Sequence, residues 1–464
     1  PTNPTDNNAG ICNLLLQETN NGEKVMFAEN RDIIEDNMIV EFRYDVTRDN
    51  EWKWVPIRVR YDKTADFRNG GRNYGNAYHV ANSNWHTIHN PISEEMIITG
   101  LNIPDELGDD DVYYNRITNA TNTRALRDFH NLYIKKILIK SASKRGDTLI
   151  DLAVGKAGDF SKWIDSKLKF VFGIDISRDN INNRLDGACA RYLNYRKRFN
   201  RMPSALFVAG NSSVNVRDTD AIFTDKGKQI TKAVFGKGPK DAAQLGKGVY
   251  KHYGIGENGF DICSVQFAIH YMFENPRTLN NFLRNVSETT AVGGYFIGTS
   301  YDGAKVFSML KSKNQGESVI VTEDDKKLWQ ITKDYDRSTF TADSSSLGYA
   351  INVYQESINK TFKEYLVNYN YLDRIMENYG FTPLTREEAK SIGLPSNSGS
   401  FKELYSEMKR EIQRDTNAKN EYGTALKMTT GEKTVSFLNR YFIYKKRNAV
   451  DAKQVANNLM GQLS

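Results

Sequence analysis

Cysteine is scarce in this chain of 464 residues: Cys12, Cys189 and Cys263 lie far apart, lack metal-ligand spacing and are odd in number. They imply no disulfide framework and no zinc site, no metal is expected elsewhere, and the count fits a reducing, intracellular setting. Long apolar runs are also missing. Nothing approaches the roughly 18 residues of a membrane span, and no signal-peptide pattern opens the chain, so a soluble protein is expected. The first residue is Pro1 and not Met, which points to a fragment of something longer. The dinucleotide-binding spacing G-x-G-x-x-G is not met, and Gly246-Lys247 is not followed by the Ser or Thr of a P-loop.

What is present is a chain long enough for about two to four domains, each able to bury its own core. Net charge is +6, from 63 basic and 57 acidic residues. The basic residues are unevenly placed. Lys135, Lys136, Lys140, Lys144 and Arg145 form one cluster, and Arg191, Arg196, Lys197, Arg198 and Arg201 another. Solvated helix faces account for either cluster, and a polyanionic partner such as RNA accounts for both.

Residues 1 to about 105 read as β-rich, with alternating segments such as NMIVEFRYDV and WKWVPIRVRYD between polar turns. A polar connection over residues 106–124 follows, and a helix is expected from about Thr123 to Ser143. From Asp147 strands and helices alternate: TLIDLAV, DFSKWIDSK, FVFGIDI, INNRLDGACARYLNYRKRF, ALFVAG, FDICSVQFAIHY, TLNNFLRNVSETT and GGYFIGTSY. This order predicts a mostly parallel sheet covered by helices, with ligands at the carboxyl ends of the strands. VSFLNRYFIYKK fits a last strand of that sheet. Residues 447–464 read as a polar tail, frayed or helical, and the Gly- and Lys-rich stretch from about Arg217 to Asn258 as a mobile basic loop.

Within this pattern DLAVGKAGDFSKW, Asp151 to Trp163, breaks an apolar strand into a glycine turn that opens a helix. Such a turn lets backbone approach a ligand and offers unpaired N–H groups, although it is equally an ordinary strand-to-helix connection. Asp175, at the end of FVFGID, lies where an acid meets a ribose hydroxyl.

DLAVGKAGDFSKW, FVFGID, FDICSVQFAIHYMFE and GGYFIGTSYDG together resemble the messenger-RNA cap guanine-N7 methyltransferases, over residues of about 125 to 446, and most of all the methyltransferase part of the multifunctional capping enzymes of large DNA viruses. The resemblance implies a Rossmann-like sheet and S-adenosylmethionine as methyl donor to N7 of the cap guanine. It assigns Lys135, Ala153, Gly155, Asp175, Asn211, Gln266 and Tyr271 to the cofactor, with Lys135 reaching its carboxylate. It assigns Asn131, Lys156, Lys162, Arg191, His270, Glu364 and Tyr441 to the cap. Lys156, Lys162 and Arg191 suit the triphosphate; His270 and Tyr441 would sandwich or edge the base, and Glu364 would accept from its N1–H and amine. Glu364, His270 and Tyr271 would position reactants, no residue acting as acid or base. The bland alternatives are a core histidine, a strand aromatic and an exposed helix acid. Ala153 and Ala157 stand where the family has glycine, and Asn211 where it has aspartate.

IVEFRYD with WKWVPIRVRYDKT resembles the last part of a capping guanylyltransferase, an OB-fold-like domain over residues 1–105 whose motif Arg58, Arg60, Asp62 and Lys63 fit. No Lys-x-Asp-Gly occurs, so this chain alone forms no lysyl-GMP adduct. The expected partners are the 5′ end of capped mRNA, upstream guanylyltransferase and triphosphatase domains, and a small stimulatory subunit. The expected location is the host cytoplasm, in a viral factory, or the virion. A catalytically silent RNA-binding or assembly module is the alternative, and a ribose 2′-O-methyltransferase a weaker one, because it needs a base to remove a hydroxyl proton.

Overall fold

Strand-to-helix alternation from residue 148 onward builds one eight-stranded sheet, in which five neighbouring strands run parallel. The computed structural model describes residues 10–461 apart from 20, 72–73, 77, 90–122, 324–325, 357–359 and 416–417. The chain divides into two units, Pro1–Leu107 and Gly108–Ser464. Most of the connection expected over 106–124 lies outside the described residues.

In the first unit β1 (Leu16–Glu18), β2 (Lys24–Phe27) and β3 (Ile33–Ile34) form one antiparallel sheet, and β4 (Val40–Tyr44) pairs with β5 (Trp54–Val59) in a hairpin. Helices Tyr61–Arg68 and Tyr78–His89 follow. Tyr44 and Trp54 meet edge to face at 4.7 Å, and Tyr44 lies 4.9 Å from Trp85, which gives this small unit an aromatic nucleus. Among the described residues the strands fall into these two sheets, linked by backbone hydrogen bonds from Glu29 and Asn30 to the Pro56 and Ile57 carbonyls.

In the second unit the helical run 124–142 opens the fold, built from Arg124–Asp128, a π-helical turn Phe129–Ile134 and Lys135–Ala142. The sheet strands are β6 (Thr148–Asp151), β7 (Phe170–Asp175), β8 (Ser204–Ala209), β9 (Phe260–Gln266) and β10 (Thr290–Tyr301). Four more strands, β11 (Ser318–Glu323), β12 (Lys326–Asp334), β13 (Ala350–Gln355) and β14 (Lys360–Tyr365), form a separate antiparallel sheet in sequence order. The chain then returns to the main sheet with β15 (Phe381–Pro383), β16 (Ser398–Ser400) and β17 (Asn439–Lys446). The order is β15-β17-β10-β9-β6-β7-β8, with β17 antiparallel to β10 and β16 paired beside it. Strand order therefore reverses at β6, between β7 and β9, the place where such sheets bind ligands.

Side-chain alternation explains why these strands lie centrally. Phe170, Phe172 and Ile174 of β7 enter one apolar cluster and Val171 the other, so the strand is buried on both faces. In β17, Tyr441 and Ile443 face one cluster, Phe442 and Tyr444 the other. Helix Pro276–Thr289 covers one face; Asn275 caps it by accepting from the Thr278 N–H, Pro276 occupies its first turn, and Leu279, Phe282, Leu283 and Val286 recur at helical spacing on its buried side.

Two segments are packed where the sequence reads as a tail and a loop. Residues 447–461 take the helical and not the frayed alternative, and are packed rather than a free tail: the Arg447 guanidinium makes a two-pronged contact with Glu388 at 2.8 and 2.6 Å, and helix Ala452–Gly461 buries Ala452 and Ala456 in the core beside Pro276–Thr289. Small residues and a single arginine fork make that packing possible in a polar stretch. The 217–258 segment is not one loop but contains helices Asp225–Val234, Ala242–Leu245 and Lys247–Tyr250, anchored by buried Ala233, Leu245 and Val249. Among the described residues no helix is long and apolar enough to cross a membrane.

Candidate active site

The carboxyl ends of β6, β7, β8 and β9 bring Asp151, Asp175, Asn211 and Gln266 to one edge of the sheet. The glycine turn follows β6. Gly155 takes a left-handed φ of 55°, which favours glycine, and its N–H donates to Asp175 Oδ2 at 2.7 Å. Asp175 Oδ1 accepts from the Ser177 N–H at 3.0 Å and the Asn180 amide at 2.9 Å. The carboxylate thus ties the turn after β6 to the helix start after β7. Ala153 donates its N–H to Asp151 Oδ1 at 3.1 Å, and Ala157 accepts a left-handed φ of 52° while its methyl is buried. The two alanines therefore keep the turn closed without glycine, at a steric cost on the order of 1–2 kcal/mol for Ala157. Asn211 Oδ1 accepts from the Ser213 N–H and hydroxyl at 2.9 and 2.7 Å. The Gln266 amide is fixed between Ser264 and Thr299 at 3.3 and 3.2 Å.

Charge on this side is internally matched. Asp159 meets Lys135 at 3.3 Å and Lys162 at 3.0 Å. Burial opposes ionisation of Asp159, but Lys135 and Lys162 outweigh it and hold the carboxyl down at about 2. Burial, followed by the Asp159 charge, pushes Asp151 up to about 7. Lys156 pairs with Asp179 at 3.2 Å and Asp186 at 3.1 Å, and its carbonyl accepts from Arg191 Nη1 at 3.0 Å. Of the three cations expected at a triphosphate, then, Lys156 and Lys162 are already neutralised by carboxylates and Lys162 is buried, while Arg191 is held beside the turn through backbone.

A cavity of about 200 Å³ adjoins this side and is lined by Asn131, Lys135, His270 and Glu364. Lys135 joins the two halves, lying 5.8 Å from the Phe267 ring on the cavity wall. Glu364 comes from β14 and is buried, which excludes the exposed-helix reading; His270 comes from the 3-10 turn Ile269–Phe273 that follows β9. Their nearest atoms, His270 Nε2 and Glu364 Oε2, stand 3.6 Å apart, too far for a hydrogen bond. Both nitrogens of His270 and Oε2 of Glu364 are buried without a hydrogen-bond partner. Burial pushes the Glu364 carboxyl up to about 8 and the His270 imidazole down to about 3, so both are neutral near neutral pH. His270 lies against Tyr271, ring centroids 4.2 Å apart.

Tyr441 does not join them. Its ring is fully buried in the core and its hydroxyl donates to the Ser396 carbonyl at 2.9 Å, because β17 points Tyr441 into the helix-covered face. The cavity is lined by Tyr301 and Asn439 from the neighbouring strand ends, and by Arg127, His130 and Phe267. Sequence reasoning missed these five. Arg127 is four residues before Asn131 on one helical face, and Phe267 and Tyr301 sit inside quoted motifs, which is the signal that was available. Phe267 is an outlier, an aromatic residue with φ of 55°, held by its N–H to the Thr299 carbonyl at 3.0 Å and stacked on His130 at 5.3 Å.

The family model of the mRNA (guanine-N(7))-methyltransferase domain matches residues 112–447. The chain belongs to this family. Similar proteins include a probable mRNA-capping enzyme of Acanthamoeba polyphaga mimivirus, 27% identical across 94% of this chain and 38% of that one. The mRNA-capping enzyme of African swine fever virus is 24% identical over 80% of this chain and 38% of its own length. The mRNA cap guanine-N(7) methyltransferase 1 of Arabidopsis thaliana is 30% identical over 43% and 46%. The chain thus spans less than half the length of each. Methyl transfer in this family draws on S-adenosylmethionine, and the residues fit it: a carboxylate at the end of β7 for a ribose diol, Lys135 for a carboxylate, and open space beside the Gly158 Cα.

In the first unit the Arg58 group is self-paired. Arg58 and Arg60 contact Glu41 at 2.9 and 3.6 Å, Arg60 bonds Asp62 at 3.0 Å, and the Arg60 hydrogen bond holds Asp62 down at about 2.

Proposed function

We propose that this chain methylates N7 of the guanine cap of mRNA, with the cavity holding the guanine and the β6–β9 strand ends holding the methyl donor. The carrying observation is the buried His270–Glu364 pair with three polar atoms unsatisfied. Leaving such atoms unpaired costs about 1–3 kcal/mol each, a price the fold recovers when a flat polar ligand fills the space. Guanine supplies two adjacent donors, N1–H and the exocyclic amine, for a carboxylate, and an acceptor for an imidazole N–H. Glu364, kept neutral by burial, ionises against those donors and then faces the positive charge that the base acquires.

S-adenosylmethionine supplies a methyl group already activated on a sulfonium. Guanine N7 carries a lone pair and no proton, so no residue has to act as a base. Asp175 binds the ribose, Lys135 the carboxylate, and Gln266 and Tyr271 line the boundary between donor and base. Holding N7 in line with the methyl is worth on the order of 7–11 kcal/mol. The absence of a proton to remove also separates this reading from 2′-O-methylation, and the closed turn at Ala153 and Ala157 favours an active enzyme over a silent module. Arg191 and Lys156 serve the triphosphate once the phosphates displace Asp179 and Asp186 from Lys156, and Lys162 does so once they displace Asp159.

The test is incubation with guanosine-capped RNA and labelled S-adenosylmethionine, followed by nuclease digestion. Label at N7 of the cap is expected; label on a ribose, or none, overturns the reading. The remaining proposals concern the longer protein: upstream guanylyltransferase and triphosphatase domains, with Arg58, Arg60, Asp62 and Lys63 as the end of the former on an OB-fold-like unit over 1–105; a small stimulatory subunit; and residence in a cytoplasmic viral factory or the virion. The mimivirus and African swine fever virus relatives, named as capping enzymes and much longer than this chain, support the first of these.

A further inference from the structure

Tyr301 ends β10 and is 8% exposed, and the function proposed above gives it no part. Its hydroxyl is gripped by the four-stranded sheet. Trp329 Nε1 on β12 donates to it at 3.0 Å, and Gln355 Nε2 on β13 at 3.4 Å. An indole N–H only donates, and the amide presents its nitrogen, so the phenolic oxygen is the acceptor of both bonds. A phenol has two lone pairs and one hydrogen. With both lone pairs occupied, the hydrogen must be given away, and among the described residues it finds no acceptor. Glu364 Oε2 does not take it, since that atom has no hydrogen-bond partner. Tyr301 lines the same cavity as His270 and Glu364. Burial, and after it the Glu364 carboxyl, push the phenol up from its ordinary value, so it keeps its proton throughout the physiological range.

The Watson–Crick edge of guanine has two donors and one acceptor, O6, which lies between N1 and the N7 side of the base. With the two donors on Glu364, O6 is left to be satisfied. It has two lone pairs, so an N–H from His270 and a hydroxyl both fit there. We propose that Tyr301 is a guanine-selecting residue, which Trp329 and Gln355 orient so that its O–H donates to O6 of the base held by Glu364. Adenine would present an amine to that hydroxyl and no N1–H to the carboxylate, so donor would face donor. This inference rests on the cap-methyltransferase reading.

The experiment compares wild type and Tyr301→Phe on two capped dinucleotides, one with guanine and one with 2-aminopurine, which keeps N7 and the amine but has hydrogen in place of O6 and none on N1. The lost N1–H contact to Glu364 is common to both proteins, so only the difference between them reports on O6. Tyr301→Phe should lower kcat/KM on the guanosine cap roughly tenfold and on the 2-aminopurine cap less than about twofold, so that wild-type preference shrinks. S-adenosylmethionine binding, measured by calorimetry on the same protein, should stay unchanged. An equal loss on both caps shows that the hydroxyl only ties Trp329 to Gln355 and overturns the proposal; an unchanged guanosine rate overturns it too. A wild type inactive on the guanosine cap overturns instead the function on which the inference stands. Where Tyr301→Phe unfolds, 3-fluorotyrosine at position 301 replaces it: a more acidic phenol of nearly the same shape must increase the preference for guanosine, and no change counts against the proposal.

Discussion

The two halves of the site are built on opposite terms. On the cofactor side Asp175 receives three hydrogen bonds and Asp159 lies between Lys135 and Lys162, while buried Asp151, which accepts from the Ala153 N–H, is pushed up to about 7. On the cap side His270 and Glu364 face each other at 3.6 Å, neutral, buried and unsatisfied. A matched network holds its shape before any ligand arrives. An unmatched pair stores a desolvation cost that only the right ligand removes, and such a pair can discriminate, because a base lacking guanine's donors leaves the cost in place.

The sharpest way to break this contrast is Glu364→Ala. Methyl transfer to capped RNA should fall by roughly 100-fold or more while calorimetric S-adenosylmethionine binding is retained; loss of both together would mean that the halves are one network. Asp175→Ala should do the reverse. It strands the Gly155 and Ser177 N–H groups and the Asn180 amide, so S-adenosylmethionine affinity should drop by roughly 10-fold or more and the melting temperature should fall as well.

Acidity sharpens the comparison further. Glu364 is raised from 4.5 to about 8, so its neutral form contributes stability that is complete at low pH and lost as pH rises through about 8. His270 is depressed from 6.5 to about 3, so its contribution is present above 6.5 and lost as pH falls toward about 3. Melting curves of Glu364→Gln should therefore decline less than wild type between weakly acid and alkaline pH. Cap-analogue binding near neutral pH should release a proton as Glu364 ionises, seen as an enthalpy that changes with the buffer; a buffer-independent enthalpy would show that the carboxyl is already charged. The smallest effect is expected at Tyr441→Phe. Losing the bond to Ser396 should cost about 1 kcal/mol in stability and leave KM for the cap unchanged, whereas a raised KM would return Tyr441 to the cavity wall.

Much of this was legible beforehand. Continuous apolar runs such as FVFGID mark strands buried on both faces, and the turn at Gly155 with Asp175 after it was legible as one unit, because strand, turn and acid lie within one short stretch of chain. Errors arose where the partner is distant. The resemblance places Tyr441 at the base, and local sequence cannot correct it, since an aromatic near a strand start gives no sign of which face it occupies; that depends on the register of β17 against β10 and β16. Lys156 reads as a free cation until helix Arg178–Asn182 and the turn after it deliver Asp179 and Asp186. Residues 447–461 read as a tail because two buried alanines carry almost no hydrophobic signal.

Local order along the chain was thus enough to determine the alternating α/β class, the glycine turn after β6 and, through motif resemblance, the family, since each depends on residues close together in sequence. Only the tertiary structure decided that β14 lowers Glu364 beside His270, that Trp329 and Gln355 hold Tyr301 above the same cavity, and that Tyr441 stays out of it. These are contacts between segments that lie roughly 30 to 100 residues apart, and burial, which sets their protonation and leaves them unsatisfied, exists only once the sheets have packed.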